Sequence, residues 1–151
     1  MKNKEQFIEI LSVNISKEKG VVKHPVDEVF ITECGIDGDA HAGEWHRQIS
    51  ILGEESILRF EKVLGRKIEY GEFAENITSR GLELKDCSIG DQFIGDEVVL
   101  EVSQIGKKCH GDGCAIFRQV GNCIMPVEGI FCRVLKGGKV KAHHKWQYIK
   151  K

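Results

Sequence analysis

The chain has 151 residues, of which 41% are hydrophobic and 30% are charged. This balance is typical of one folded globular domain and excludes a disordered chain. The formal net charge is −1, so the chain has no overall basic field that would attract nucleic acid or an acidic membrane surface. We therefore expect neither nucleic acid nor a membrane among its partners, and an anionic ligand must be bound by a local cluster of cations.

The N-terminus and the cysteines together indicate a cytoplasmic protein. The first five residues, MKNKE, lack the apolar core of a signal peptide, and no apolar run approaches the length of a membrane span. Because the cytosol is reducing, the six cysteines are predicted to be free thiols or metal ligands and not disulfides. Cys87 and Cys132 have apolar or small neighbours, and we expect them to pack as small core hydrophobes.

Short apolar runs separated by glycines predict a mainly β domain. The chain has 17 glycines and 2 prolines, which is typical of many short strands joined by tight turns. In the first run, Leu11, Val13 and Ile15 alternate with polar residues, as in a half-buried strand. The predicted strands are Ile8–Ile15, Val26–Thr32, Gln48–Leu52, Val98–Ile105 and Ile130–Leu135.

One amphipathic helix is predicted over Glu54–Leu64. Ile57, Phe60 and Leu64 recur at spacings of three and four residues, which places them on one face of a helix. Gly65 follows directly and is the residue type that most often ends a helix.

The rest of the chain adds few regular elements. A short helical turn is predicted over Ala115–Val120, and the lysine-rich tail from Lys139 to Lys151 is predicted to be a solvated end strand with a frayed terminus. The sequence shows no linker, repeat or low-complexity segment. We therefore expect a single domain with one or two short helices.

A loop rich in glycine and aspartate follows the second predicted strand. Residues 35–43 contain Asp37, Asp39 and His41 between glycines. Such a loop can aim backbone N–H groups and an imidazole at a polar ligand, although a plain Asp/Gly turn explains it equally well. It is not a phosphate-binding P-loop, because the Gly-Lys-Ser/Thr ending is missing. Arg47, at the head of the next strand, adds a fixed cation.

A third polar segment comes before a short strand. Residues 73–78, FAENIT, place Glu75 and Asn76 side by side. In turns, these residue types are more often surface groups or caps than ligands, so the segment by itself indicates little.

The most reactive-looking group is the thiol of Cys109, in residues 106–114 (GKKCHGDGC). Lys107 and Lys108 precede it, and nearby cations lower the pKa of a thiol. The resulting thiolate attacks electrophiles and binds soft metals. Because the glycines allow sharp turns and close approach of a ligand, Cys109 is predicted to be exposed and chemically available.

Three other chemistries remain open around this thiol. Cys109, His110 and Cys114 could supply part of a zinc site, although paired C-x-x-C knuckles are absent. Cys123 or His41 would then have to supply the fourth ligand. Cys109 and Cys114 could instead form a redox-sensitive disulfide. A cysteine protease-like dyad would need a histidine base. The candidates for that base are His41, His46 and His110, and His110 is the weakest because adjacent side chains rarely face each other.

Several segments, taken in order, carry a resemblance to a known family. They are residues 35–41, 47–48, 73–82, 89–91, 100–104, the Cys109 loop and residues 129–135. Together they resemble the MOSC domain (molybdenum cofactor sulfurase C-terminal domain), most closely the small stand-alone bacterial members. The resemblance implies a strand-rich, partly closed β-barrel that forms a single domain over residues 1–151, with its core at about residues 13–141.

The resemblance also implies a role with the molybdenum cofactor. A cysteine placed like Cys109 would either ligate molybdenum or carry sulfane sulfur as a persulfide, and Cys114 would be a second ligand or a resolving thiol. The residues expected to contact the cofactor are Asp37, Asp39, His41, Arg47, Asn76, Lys107 and Lys108. From their charge, we infer that Lys107, Lys108, Arg47 and His41 bind its anionic pterin phosphate.

Two departures from the family pattern are visible. Ala42 replaces a frequent second glycine, and the pair His143 and His144 replaces a frequent Gly-Asp. The chain also lacks the extra N-terminal β-barrel domain of amidoxime-reducing members and the aminotransferase-like domain of cofactor sulfurases. No pyridoxal phosphate is therefore expected in this chain itself.

Three hypotheses follow for the function. The favoured one is a cofactor-binding or sulfur-carrier protein, supplied by a pyridoxal-phosphate-dependent cysteine desulfurase and serving molybdoenzymes. The second is a molybdenum-dependent reductase of N-hydroxylated substrates. The third is a small zinc or thiol-redox protein.

Overall fold

A computed structural model describes residues 5–18, 21–40, 42–45, 47–106 and 128–151. Strands predominate within these ranges, as the sequence predicts. The elements are β1 (Gln6–Ile15), β2 (His24–Val26), β3 (Glu28–Thr32), β4 (Gly35–Ile36), β5 (Ile49–Gly53), α1 (Glu54–Leu64), β6 (Ile77–Arg80), a turn of 3-10 helix (Leu84–Asp86), β7 (Gln92–Ile94), β8 (Val99–Ile105), β9 (Ile130–Lys136), β10 (Gly138–Lys141) and β11 (Lys145–Ile149).

Seven of these strands form a closed barrel. Their order is β11-β7-β8-β9-β5-β6-β1, and β1 pairs with β11 to complete the circle. Among the described strands of the barrel, β5 and β6 are parallel and the other neighbours are antiparallel. The predicted β-barrel is confirmed, and the pairing of β1 with β11 closes it fully.

Two apolar clusters stabilise this arrangement. One fills the barrel and includes Ile10, Phe93 and Trp146, each of which comes from a different strand. The other lies between α1 and the outer wall, where Phe60 of the helix belongs to the same cluster as Phe131 of β9. Every residue of β5 is buried. Because successive side chains of a strand point to opposite sides, β5 contributes to both clusters.

The helix has the predicted bounds. It spans Glu54–Leu64, and Gly65 adopts the left-handed conformation (φ 72°) while its N–H donates to the carbonyl of Glu61 at 2.8 Å. The predicted C-terminal stop is therefore confirmed. No helix within the described ranges is both long and apolar enough to cross a bilayer.

The predicted strand Val26–Thr32 is in fact two strands in different sheets. Val26 ends β2 and pairs with Val13 of β1, whereas Glu28 begins β3 and pairs with Lys141 of β10. The prediction was wrong because the continuous β-prone run hides the break at Asp27, which only the two sets of pairing partners define.

The lysine-rich tail is not the frayed end that the sequence indicated. It contributes β10 to the small sheet β10-β3-β4, and β11 to the barrel between β1 and β7. Trp146 is 1% exposed, and the backbone N–H of Lys151 donates to Asp91 Oδ1 at 3.0 Å. The many lysines obscured a period-two pattern in which Val140 and Trp146 point inward.

Candidate functional site

The candidate site is built around the end of the barrel at which β8 stops and β9 starts. The backbone N–H of Gly106 donates to the carbonyl of Gly129 at 2.7 Å and closes this strand pair. The residue stretch that contains Cys109 begins directly after Gly106 in the sequence. The predicted site residues outside the described ranges are Cys109, Lys107, Lys108, Cys114 and His41, together with the turn Ala115–Val120 and the alternative groups His46, His110 and Cys123.

Arg47 is the predicted site residue whose environment favours a ligand most strongly. Its guanidinium carbon lies 4.6 Å from the ring centroid of Trp45 and 5.9 Å from that of Phe131. These contacts are cation–π interactions that hold the side chain against aromatic surfaces. Its Nε atom is buried and has no hydrogen-bond partner among the described residues. Because a buried donor without an acceptor is unfavourable, an anionic or carbonyl-bearing ligand would fit here.

Gln48 fixes the backbone beside Arg47. Its Nε2 donates to the carbonyls of Glu33 (3.0 Å) and Gly43 (2.8 Å), and its Oε1 accepts the backbone N–H of Val134 at 2.8 Å. One side chain therefore links two loops to β9. The sequence does not predict this role, because Gln48 is distinguished there only by following Arg47.

Backbone hydrogen bonds hold the described residues of the 35–43 loop. The N–H groups of Asp37, Asp39 and Gly43 donate to carbonyls of the same region, at 2.9, 3.1 and 2.7 Å. These N–H groups are therefore used within the protein, unlike the ligand-facing N–H groups that the sequence suggested. Gly38 has φ 86°, which fits the tight turn, and the side chain of Asp37 is exposed.

Asp39 has a partner that the sequence analysis missed. Its Oδ1 lies 2.7 Å from Nζ of Lys23, and both side chains are 0% exposed. The same oxygen accepts the backbone N–H of Ser16 at 3.0 Å, and Lys23 Nζ also donates to Ser16 Oγ at 3.2 Å. No pattern in the sequence distinguishes Lys23 from the other lysines.

Glu75 is fully buried, which corrects its interpretation as a surface or cap residue. Its carboxylate accepts the backbone N–H groups of Gly71 (2.9 Å) and Phe73 (3.2 Å) and the hydroxyl of Thr78 (2.8 Å). Burial raises the pKa of Glu75 to about 7, because desolvation outweighs these hydrogen bonds. The Glu75 carboxylate therefore holds the turn that contains Gly71 and Phe73.

Asn76 is also buried and is engaged within the barrel wall. Its Oδ1 accepts the backbone N–H of Ser50 at 3.0 Å, and its Nδ2 donates to the carbonyl of Asn14 at 3.3 Å. The amide thus joins the segment before β6 to β5 and β1. Both of these partners are groups of the protein itself.

Two of the described cysteines, Cys87 and Cys132, pack in the core. Cys87 and Cys132 are buried free thiols, as predicted. Burial raises the pKa of Cys87 to about 11, and it also raises the pKa of Cys132. Both therefore stay protonated at neutral pH, which makes them poor nucleophiles.

The side chains of the described residues fit the anionic part of a molybdenum cofactor and not its metal. Within the described ranges, no group of three or more His, Cys, Asp or Glu side chains could hold a metal ion. The buried Nε of Arg47, which has no hydrogen-bond partner among the described residues, fits an anionic group such as a phosphate. The soft sulfur ligand is expected from Cys109, which lies outside the described residues.

Comparison with known proteins places the chain in a family. The sequence profile of the MOSC domain matches residues 38–145. The uncharacterized protein YflK of Bacillus subtilis is 27% identical over 161 aligned positions, which cover 91% of this chain and 71% of YflK. The crystal structure of YuaD from Bacillus subtilis has a TM-score of 0.80 at 18% identity and covers 98% of each chain. YiiM from Geobacillus stearothermophilus has a TM-score of 0.73 at 24% identity over 95% of this chain and 75% of that one. The chain belongs to the MOSC domain family, as the order of its motifs predicted.

Proposed function

We propose that this protein binds the molybdenum cofactor or carries sulfur for its maturation in the cytoplasm, with Cys109 as the central thiol. Membership of the MOSC family supports the association with the cofactor. The observation that carries the proposal is the buried, unpartnered Nε of Arg47, held on Trp45 near the strand end that leads into the Cys109 segment. This group offers an anion contact, and the segment that contains the thiol follows Gly106 in the sequence.

Each residue has a separate part in this proposal. Arg47 binds the phosphate of the pterin, and Cys109 supplies the soft ligand or the sulfur acceptor. Lys107 and Lys108 favour the thiolate form of Cys109 by their charge. When bound, the cofactor supplies a metal centre able to change oxidation state.

The sulfur-carrier form of the proposal needs one transfer step. The thiolate of Cys109 attacks the terminal sulfur of a persulfide on a cysteine desulfurase. The donor's sulfur–sulfur bond breaks, its electron pair leaves with the donor thiolate, and a new sulfur–sulfur bond forms on Cys109. The sulfane sulfur moves as a neutral atom, so the step needs no external oxidant or reductant.

The first experiment measures molybdenum and pterin in protein purified under reducing conditions from cells supplied with molybdate. We expect molybdenum together with pterin, and Cys109→Ser is expected to abolish retention or, in the carrier form, the mass increase of one sulfur atom after incubation with a persulfide donor. Cys114→Ser should have a smaller effect. If both substitutions behaved alike, a shared metal or a disulfide would be the better explanation, and stoichiometric zinc without molybdenum would exclude the proposal.

A second experiment tests the anion contact. Arg47→Ala should lower the retained molybdenum by about tenfold or more, since a charge-assisted hydrogen bond is lost from a buried site. Arg66→Ala is the matched control, because Arg66 forms an exposed ion pair with Glu72. Equal retention in Arg47→Ala and Arg66→Ala would exclude Arg47 from the site.

An activity assay distinguishes the reductase hypothesis from the carrier hypothesis. If the loaded protein reduced an N-hydroxylated compound when given an electron donor, and if Cys109→Ser abolished that activity, the protein would be an enzyme and not a carrier.

A further inference from the structure

We propose that Lys23 is a positioning residue, whose buried ammonium holds Asp39 and, through it, the loop over residues 35–43 in the conformation that the site uses. The importance of that loop rests on the proposed function. The contacts of Lys23 stand independently of it.

The burial of Lys23 calls for an explanation. Lysine is almost never fully buried unless it is paired, and the side chain of Lys23 is 0% exposed with its Nζ 2.7 Å from Asp39 Oδ1. Desolvation of both charges offsets most of their attraction, so a buried ion pair adds little net stability compared with apolar residues. A gain in overall stability therefore does not account for this pair, whereas a requirement for one loop geometry does.

Lys23 joins three segments of the chain. Its backbone N–H donates to the carbonyl of Gly71 at 2.8 Å, and its Nζ donates to Ser16 Oγ at 3.2 Å as well as to Asp39. Ser16 also accepts the backbone N–H of Ala40 at its carbonyl, at 2.8 Å. The loop is thus attached to the segment after β1 through both side chains and backbone.

Two hydrogen bonds, joined by the peptide bond between Ala42 and Gly43, lead from Asp39 toward the site. The carbonyl of Asp39 accepts the N–H of Ala42 at 3.2 Å, and the carbonyl of Gly43 accepts Nε2 of Gln48 at 2.8 Å. Gln48 directly follows Arg47, which carries the unpartnered Nε. A displacement of Asp39 is therefore expected to reach the backbone that orients Arg47.

The test compares three variants without bound ligand. Lys23→Met keeps a side chain of similar length and removes the charge, and Lys23→Met/Asp39→Asn also removes the carboxylate that would otherwise be left with one fewer partner. Lys139→Met is the matched control, because Lys139 is exposed and its Nζ lies 3.9 Å from a carboxylate oxygen of Glu28, which is also exposed. The measurements are the midpoint of thermal unfolding and the hydrogen exchange of the Ala40, Ala42 and Gly43 amides.

We expect the single variant to lower the midpoint and the double variant to recover most of it. The protection of the loop amides against hydrogen exchange should fall by about tenfold or more in both variants, because both lack the Lys23 ammonium that contacts Asp39. Protection in the barrel strands should stay unchanged, and Lys139→Met should resemble the wild type. If the single variant does not fold, the double variant carries the test.

Two results would overturn the proposal. One is unchanged loop protection in either variant, and the other is recovery of both the midpoint and the protection in the double variant. Molybdenum content is measured separately on the same proteins. A wild-type protein that retains no molybdenum would contradict the cofactor proposal, whereas the exchange measurements decide the role of Lys23 by themselves.

Discussion

The carboxyl group of Glu75 shows how much a single side chain can depend on its surroundings. In the sequence it lies in a polar turn, but in the structure it is 0% exposed and accepts three hydrogen bonds. Desolvation raises its pKa from 4.5 to about 7. The folded protein therefore binds a proton near neutral pH more readily than the unfolded chain.

This shift predicts a pH dependence of stability. Because the folded pKa is the higher one, the contribution of Glu75 is fully present below pH 4.5 and is lost as the pH rises through about 7. The free energy of unfolding should thus fall between pH 5 and pH 8, by up to about 3 kcal/mol from this group. Glu75→Gln should remove that part of the slope in urea titrations. An equal slope in both proteins would show that other groups cause the dependence.

At the scale of the element, α1 is the part that the sequence describes best. Ile57 and Phe60 face the outer wall of the barrel, and the ring of Phe60 packs edge-on against Phe73 at 5.3 Å between centroids. The helix bounds follow from local signals, namely the spacing of apolar residues and Gly65. The short strands β2 and β4 lack such signals, because their pairing partners alone define them.

The helix makes a clear prediction about packing. Phe60→Ala should lower the free energy of unfolding by about 3–5 kcal/mol, because it leaves a cavity beneath the helix. Val63 lies on the same helix and is 78% exposed, so Val63→Ala should change stability by no more than about 0.5 kcal/mol. Urea denaturation of the two variants checks this, and similar effects at both positions would contradict the assigned helix face.

At the scale of the whole molecule, the barrel depends on β11. Trp146 fills the interior beside Gly95, in the turn between β7 and β8. A Cβ atom at Gly95 would lie 2.6 Å from both Cδ1 and Nε1 of the indole. Position 95 in the turn therefore accommodates only glycine while the indole of Trp146 occupies this place.

This contact predicts coupled mutations. Gly95→Ala should lower stability by about 1–3 kcal/mol, because the buried indole has little room to move away from the new methyl group. In a Trp146→Phe background the same substitution should be less harmful, since the smaller ring leaves space for it. A double-mutant cycle by chemical denaturation measures this coupling, and additive effects would contradict it.

The candidate site was only partly predictable. Arg47 was predicted as a site residue because a cation beside a glycine-rich loop has a local signature, and the structure adds its unpartnered Nε. Its role as a ligand contact stays a prediction. Lys23 was not found, since nothing local distinguishes a buried lysine from an exposed one. The roles of Asp37, Asn76 and Cys109 as ligands remain predictions.

The sequence by itself determined the mainly β character, the helix and the family, because alternation, helical spacing and the order of short motifs are properties of the chain alone. The tertiary structure decided the closure of the barrel by β11, the division of Val26–Thr32 between two sheets and the partners of Asp39 and Glu75. These features depend on contacts between residues far apart in sequence. Their energies come from burial and pairing, which no local pattern records.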